Sequence, residues 1–242
     1  MSLLYPEWSA PEGVCAASTT RVGGVSLGSW ASLNLGSHVG DSLEHVQENR
    51  QRLGRGAGMA SLPVWLDQVH GTSVLKLDGS MPASVLADAA YSAIPGVVCA
   101  VMTADCLPVL FCSLDGTEVA AAHAGWRGLA NGVIEATLAC FRAPAEEIIA
   151  WMGPAIGPEA FEVGSEVRDI FVAKNAADAA AFRASGEKYY ADIWCLASNR
   201  LRASGVIQIS GGGQCTFSNP ARFFSYRREG ITGRMASCIW RP

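Results

Sequence analysis

A mixed α/β fold, of α/β or α+β type around a mixed sheet and in a single domain, is what this sequence predicts. Three observations carry that prediction. Short apolar runs of strand character are interspersed with segments of helical periodicity. Several strand runs are joined by hairpin-type turns, so part of the sheet is antiparallel. No internal repeat, low-complexity tract or linker-like stretch divides the 242 residues, and residues 1–242 read as one unit.

The elements follow in order. Residues 14–20 read as a strand ending at the turn of Gly23 and Gly24. Residues 41–53 read as a helix: Asp41 and Glu44 have capping-box spacing, and Leu43, Val46, Arg50 and Leu53 share one face. Residues 64–70 and 73–77 are predicted strands around Gly71, and 96–103 is an apolar run leading into Asp105 and Cys106. Residues 108–113 and 118–123 are strands separated by Leu114-Asp115-Gly116-Thr117. A helix is predicted over 129–141, a strand over 148–152, helices over 163–172 and 192–203, and a strand over 206–210. Residues 223–227 and 234–240 read as a final hairpin around Gly230.

Composition bounds the function. Half the residues are hydrophobic and 17% are charged, which is a globular balance. The net charge of −4, with scattered arginines and no basic run, argues against a nucleic-acid partner. No apolar stretch reaches the ~18 residues of a membrane span. The opening residues show no basic segment followed by an apolar run, so the expected location is cytoplasmic. Eight cysteines, widely spaced and without an export signal, are expected to be reduced, and most to serve as small buried hydrophobes. No protein partner is implied.

Turn chemistry brings two reactive residues together. Asp115-Gly116 between two strands is a hairpin signal. A two-residue turn there pairs Ser113 with Glu118 and Pro108 with His123. Adjacent strands lie about 4.8 Å apart. Cys106, two residues before Pro108, therefore emerges at the same sheet end as His123. A one-residue slip in register would turn His123 to the opposite face. Ala124-Gly125-Trp126-Arg127-Gly128 then leads into a helix whose first amides are a ready anion site.

Other residues leave two readings open. His70 stands at a predicted strand end before Gly71, where the turn exposes the ring, but spacing does not bring it to Cys106 and His123. Taken by itself such a histidine is more often a hydrogen-bonded structural residue than a ligand, and the same holds for His38 and His45. Arg50 falls on the apolar stripe between Val46 and Leu53. It either snorkels to solvent or points its guanidinium into a pocket to bind phosphate or carboxylate.

Longer motifs run through nearly the whole chain: Thr19-Thr20-Arg21-Val22-Gly23-Gly24-Val25-Ser26, Ser32-Leu33-Asn34-Leu35-Gly36, Glu48-Asn49-Arg50, and Asp67-Gln68-Val69-His70-Gly71. Thr103-Ala104-Asp105-Cys106-Leu107-Pro108, Ala122-His123-Ala124-Gly125-Trp126-Arg127-Gly128 and Gly153-Pro154-Ala155-Ile156-Gly157-Pro158 follow. Phe223-Phe224-Ser225-Tyr226-Arg227-Arg228 and Thr232-Gly233-Arg234-Met235-Ala236 complete the set. On these motifs the chain resembles the laccase-domain family, also called the YfiH family and formerly described as polyphenol oxidases. The resemblance implies mixed sheets layered between helices, loosely like the catalytic domain of cytotoxic necrotizing factor. It implies zinc or copper held by His70, Cys106 and His123. It also implies phosphorolysis of adenosine, inosine, guanosine and methylthioadenosine, together with adenosine deamination. Some bacterial members of the family are linked to editing of peptidoglycan precursors.

That chemistry assigns provisional roles. Three protein ligands with an open fourth position describe a catalytic zinc site. Zinc lowers the pKa of bound water to ~7, which suits deamination, and a carboxylate would shuttle the proton. Asp105 is the nearest in sequence, although a turn residue capping backbone amides reads the same way. Phosphorolysis needs arginine to hold phosphate, and Arg50, Arg127, Arg227 and Arg228 are the candidates. Strand alternation would put Arg227 and Arg228 on opposite faces, so that at most one serves. Asn34 and Gln68 could bond ribose or base, or be ordinary turn and strand residues.

Rival readings come from other classes. Four histidines are too few for a multicopper cluster, but a single His₂Cys copper site with Met102 nearby is conceivable for an oxidase. A metal-free hydrolase acting in peptidoglycan-precursor editing would use Cys106 as nucleophile and His123 as base. A non-catalytic binding module has no use for a thiolate held between two imidazoles.

Overall fold

Three sheets and two helical layers make up the computed structural model, which describes Met1–Pro242. The strands are β1 (Leu3–Leu4), β2 (Cys15–Thr19), β3 (Val74–Lys76), β4 (Ala89–Ser92), β5 (Val98–Thr103), β6 (Leu107–Ser113) and β7 (Val119–Ala124). They continue with β8 (Ile148–Met152), β9 (Glu162–Val163), β10 (Phe182–Ser185), β11 (Lys188–Ala191), β12 (Gln208–Gly211) and β13 (Met235–Trp240). The helices are α1 (Leu43–Ala57), α2 (Trp126–Asn131), α3 (Val133–Leu138), α4 (Ser165–Lys174), α5 (Ile193–Ala203) and the one-turn α6 (Tyr226–Glu229).

A six-stranded mixed sheet runs β12-β8-β6-β7-β4-β3, and a four-stranded antiparallel sheet runs β1-β2-β13-β5. The strands alternate their faces, and the core is sorted accordingly. Val109 and Phe111 of β6, with Ala120 and Ala122 of β7, pack against α3, α4 and α5 through Ile134, Phe171 and Leu196. Leu110, Cys112, Val119 and Ala121 face the other way and meet Cys99, Val101 and Ile239 of the four-stranded sheet. The outer face of that second sheet, with Ala100, Cys238 and Trp240, packs on Leu53 of α1. Helices therefore flank two stacked sheets. All eight cysteines are free, and no helix is long and apolar enough to cross a membrane.

The β6–β7 hairpin has the register expected from its turn. Pro108 pairs with His123, and the Ser113 amide donates to the Glu118 carbonyl at 3.0 Å. Four expectations need correction. Residues 64–70 form no strand beyond a single bridge from Asp67 to Leu86. Side-chain bonds anchor the segment instead: the Gln68 amide bonds the backbone C=O and N–H of Met102, and Asp88 accepts the amides of Val69, His70 and Gly71. Residues 129–141 are two short helices broken at Gly132, whose φ of +105° lies where L side chains are strained. Residues 223–227 do not enter a hairpin strand, because Ser225 caps α6 by accepting the amide of Arg228 at 3.3 Å. The capping box at Asp41 and Glu44 does not form. Asp41 instead accepts bonds from Ser26, Asn34 and the Ser42 amide.

Candidate metal centre and its cavity

The turn between β5 and β6 aims the thiol. Asp105 sits there at φ +92°, a left-handed conformation that aspartate tolerates better than most residues. Its carboxylate is fully engaged: Oδ1 accepts from the Thr216 hydroxyl at 2.6 Å, and Oδ2 accepts from Ser225 Oγ at 3.0 Å and the Arg227 amide at 2.7 Å. Asp105 thus ties the 216 and 225–227 segments to the turn that carries Cys106. These bonds favour the turn-capping reading over a free proton shuttle.

His123 reaches the same place through strand register. It shares the face of Val119 and Ala121, toward the second sheet, and stands opposite Pro108 near the strand end. On its other side β4 pairs Ala89 with Ala122, which sets Asp88 beside His123. The His123 amide donates to the Asp88 carbonyl at 2.7 Å, and its Nδ1 donates to Asp88 Oδ1 at 2.8 Å. Nε2 is then left to face Cys106.

Asp88 also delivers His70. It is buried, and it accepts the amides of Val69, His70 and Gly71 at 3.2, 2.9 and 2.6 Å. These bonds hold a tight turn in which His70 has φ +61° and an exposed ring. Sequence reasoning missed Asp88. Its one trace is a lone carboxylate entering the apolar run of β4.

His70, Cys106 and His123 each offer one donor atom, and the three lie within 4.8 Å of one another. Cys106 Sγ is 3.8 Å from His70 Nε2, and the two imidazoles meet edge to face with centroids 4.8 Å apart. Gly125 keeps the space between them clear. A Cβ there would come within 3.0 Å of both Cys106 Sγ and His70 Cδ2, and 3.5 Å from His123 Nε2. Burial pushes the Cys106 thiol up, but His123 and then His70 outweigh it and hold the thiol at about 6. Burial pulls His123 down, while the Cys106 thiolate and Asp88 carry it up to about 9. Burial raises Asp88, yet its bonds from His123 and the backbone amides keep it below the ordinary carboxylate range. A thiolate, two imidazoles and a bonded carboxylate behind one of them fit a zinc-type donor set.

The family model described as multi-copper polyphenol oxidoreductase laccase matches residues 15–242. The chain belongs to this laccase-domain family. A relative in Escherichia coli named purine nucleoside phosphorylase YfiH is 60% identical over 238 residues, covering 98% of both chains. The Haemophilus influenzae relative named purine nucleoside phosphorylase is 48% identical over 243 residues, covering 99% of both. The crystal structure of a Neisseria meningitidis protein superposes with a TM-score of 0.95 at 47% identity, covering 100% of this chain and 99% of that one.

In this laccase-domain chain the donor trio opens into a cavity of about 520 Å³. Gln68, Asp105, Arg127 and Arg227 line it, as do His38 and Arg234, to which sequence reasoning assigned no role there. The amide of Gln68 is occupied by the Met102 backbone at 2.8 and 2.7 Å. Two residues expected to contact substrate lie outside the cavity. Asn34 is buried outside the cavity, with its amide bonded to Gly36, Asp41 and the Arg234 amide. Arg50 also stands outside it: the guanidinium donates from Nε and Nη2 to the Leu35 carbonyl and lies 4.3 Å over the Trp65 ring. Of the adjacent pair, Arg227 faces the cavity, while Arg228 is bonded to the carbonyls of Thr216, Phe217 and Phe223. A helical turn, rather than strand alternation, separates them.

Proposed function

We propose that this chain is a metal-dependent purine nucleoside phosphorylase that also deaminates adenosine, taking adenosine, inosine, guanosine and methylthioadenosine. The observation that carries the reading is the convergence of Arg127, Arg227 and Arg234 on the cavity that holds the His–Cys–His group. In a chain of net charge −4, three arginines lining one cavity mark an anion site. The names of the relatives support the same reaction.

The cavity falls within the ~300–1,000 Å³ typical of small-ligand sites and is large enough for a nucleoside beside a phosphate. Trp126, Phe161 and Tyr226 give it aromatic walls against which a purine can lie. The arginines hold phosphate, whose oxygen forms the new bond to C1′ while the bond from C1′ to the base nitrogen breaks. The departing purine nitrogen takes up the proton that hydrogen phosphate gives up as it becomes the sugar phosphate ester. His70, Cys106 and His123 would hold a zinc ion, or copper as the second choice, which would supply Lewis acidity toward an oxygen nucleophile. Asp88 fixes the His123 ring and the His70 turn, so two of the three donors share one support.

The experiment is product analysis with metal-loaded protein and adenosine. Adenine should form only when phosphate is present, and inosine whether or not it is. Release of neither product overturns the reading.

A second reading has one specific observation in its favour. Cys106, His123 and Asp88 stand in the order of a nucleophile, a base and the carboxylate that orients the base. A metal-free thiol hydrolase would be inactivated by a thiol alkylator and unaffected by a chelator.

A further inference from the structure

We propose that Arg234 is the residue that binds the phosphate co-substrate, on a mount that fixes it before phosphate arrives. This assignment rests on the phosphorylase reading and names the residue behind it.

The three cavity arginines differ in how they are tied. Arg127 is exposed and lies 4.4 Å over the ring of Trp126. Arg227 is exposed and donates from Nη1 to the Glu162 carbonyl at 3.0 Å. Arg234 is half-buried, and its Nη1 donates to the carbonyls of Thr232 and Gly233 at 3.1 Å each. Its Nε and Nη2 donate to no protein group and keep solvent exposure, in a residue that lines the cavity. That pair is one fork of the guanidinium, the parallel donor edge that meets two oxygens of a phosphate at once.

The stem of Arg234 is clamped. Its amide donates to Asn34 Oδ1 at 2.9 Å, and its carbonyl accepts the Leu35 amide at 3.1 Å. Its Cγ crosses Gly36 so closely that a Cβ there would stand 2.8 Å away. Arg50, outside the cavity, braces this same segment through the Leu35 carbonyl. Asn34 and Arg50 are therefore positioning residues. A side chain held in its binding geometry in advance loses little freedom when the ligand arrives. The one carboxylate on the wall, Asp105, has both oxygens occupied and does not compete for the fork.

The test titrates inorganic phosphate into metal-loaded protein, followed by calorimetry, alongside steady-state kinetics in both substrates. Arg234→Gln should raise the phosphate Kd and KM by about 10–100-fold, the usual scale for losing charged hydrogen bonds, and far more than the nucleoside KM. Arg234→Lys keeps the charge without the fork and should still weaken phosphate at least about fivefold. It carries the test if the glutamine variant does not fold. Near-wild-type phosphate binding in the folded variants overturns the proposal, as does a larger loss in Arg127→Gln or Arg227→Gln. If the wild type phosphorolyses no nucleoside, yet binds phosphate through Arg234, the phosphorylase reading falls and the anion site stands. If it phosphorolyses normally and Arg234→Gln leaves phosphate unaffected, the reading stands and this assignment falls.

Discussion

His123 Nδ1 lies 2.8 Å from Asp88 Oδ1, and the same buried carboxylate accepts the amides of Val69, His70 and Gly71. One anion therefore sets the tautomer of one candidate ligand and the backbone position of another. Asp88→Asn keeps the size but loses the charge, and it turns an amide N–H toward donors. Zinc affinity should fall about 10–100-fold, the range typical of such outer partners. Competition with a chromophoric chelator measures it, and wild-type affinity would remove Asp88 from the site's support.

Gly125→Ala separates the metal site from the fold. The backbone at Gly125 has φ −58° and ψ 154°, which alanine adopts freely. The added methyl would nevertheless stand 3.0 Å from both Cys106 Sγ and His70 Cδ2. The variant should unfold within a few degrees of the metal-free wild type in a thermal scan while binding zinc at least about tenfold more weakly. Full zinc affinity would mean that the three donors do not close around an ion.

The thiol of Cys106 is expected to be selectively reactive once metal is stripped. Its pKa of about 6, set by the neighbouring imidazoles against the upward push of burial, keeps it a thiolate above that pH. Alkylation should be fast from pH 7 upward and slow as the pH falls through about 6, where the thiol reprotonates. An ordinary cysteine would lose reactivity near 8.5. Buried Cys112 and Cys238 are pushed the other way, to about 12, and should stay unmodified. Mass spectrometry of the alkylated protein tests this, and zinc should protect Cys106.

Gly132→Ala tests the break between α2 and α3. At φ +105° an alanine pays the left-handed penalty, and the nearest heavy atom to the new methyl, Glu135 Oε2, is 3.6 Å away. Conformation alone should cost about 1–2 kcal/mol in equilibrium urea unfolding. A stabilised variant would show that the two helices prefer to merge.

Much of the candidate metal centre was legible because its central pair is local. An Asp-Gly turn and the period-two alternation of strands suffice to set Pro108 against His123 and bring Cys106 to the same end. The short apolar strands β5 and β8 and the Asp192-capped helix α5 were readable for the same reason, since each depends on its own neighbours. His70 was legible only through family resemblance, since nothing in its spacing carries it to Cys106.

What only the tertiary structure decided involves groups far apart in sequence competing for one partner. The carboxylate of Asp88 claims the 69–71 turn, so a predicted strand end becomes a loop with His70 at φ +61°. The carbonyl of Leu35 claims Arg50, so a helix-stripe arginine that periodicity left between solvent and a pocket serves as a brace. Asn34 reaches Arg234 across 200 positions. Periodicity and turn chemistry describe a residue's own segment, whereas these bonds exist only after the sheets have stacked. Burial then makes an unpaired charge or amide costly, and Asp88, Arg50 and Asn34 take the partners that folding brings within reach.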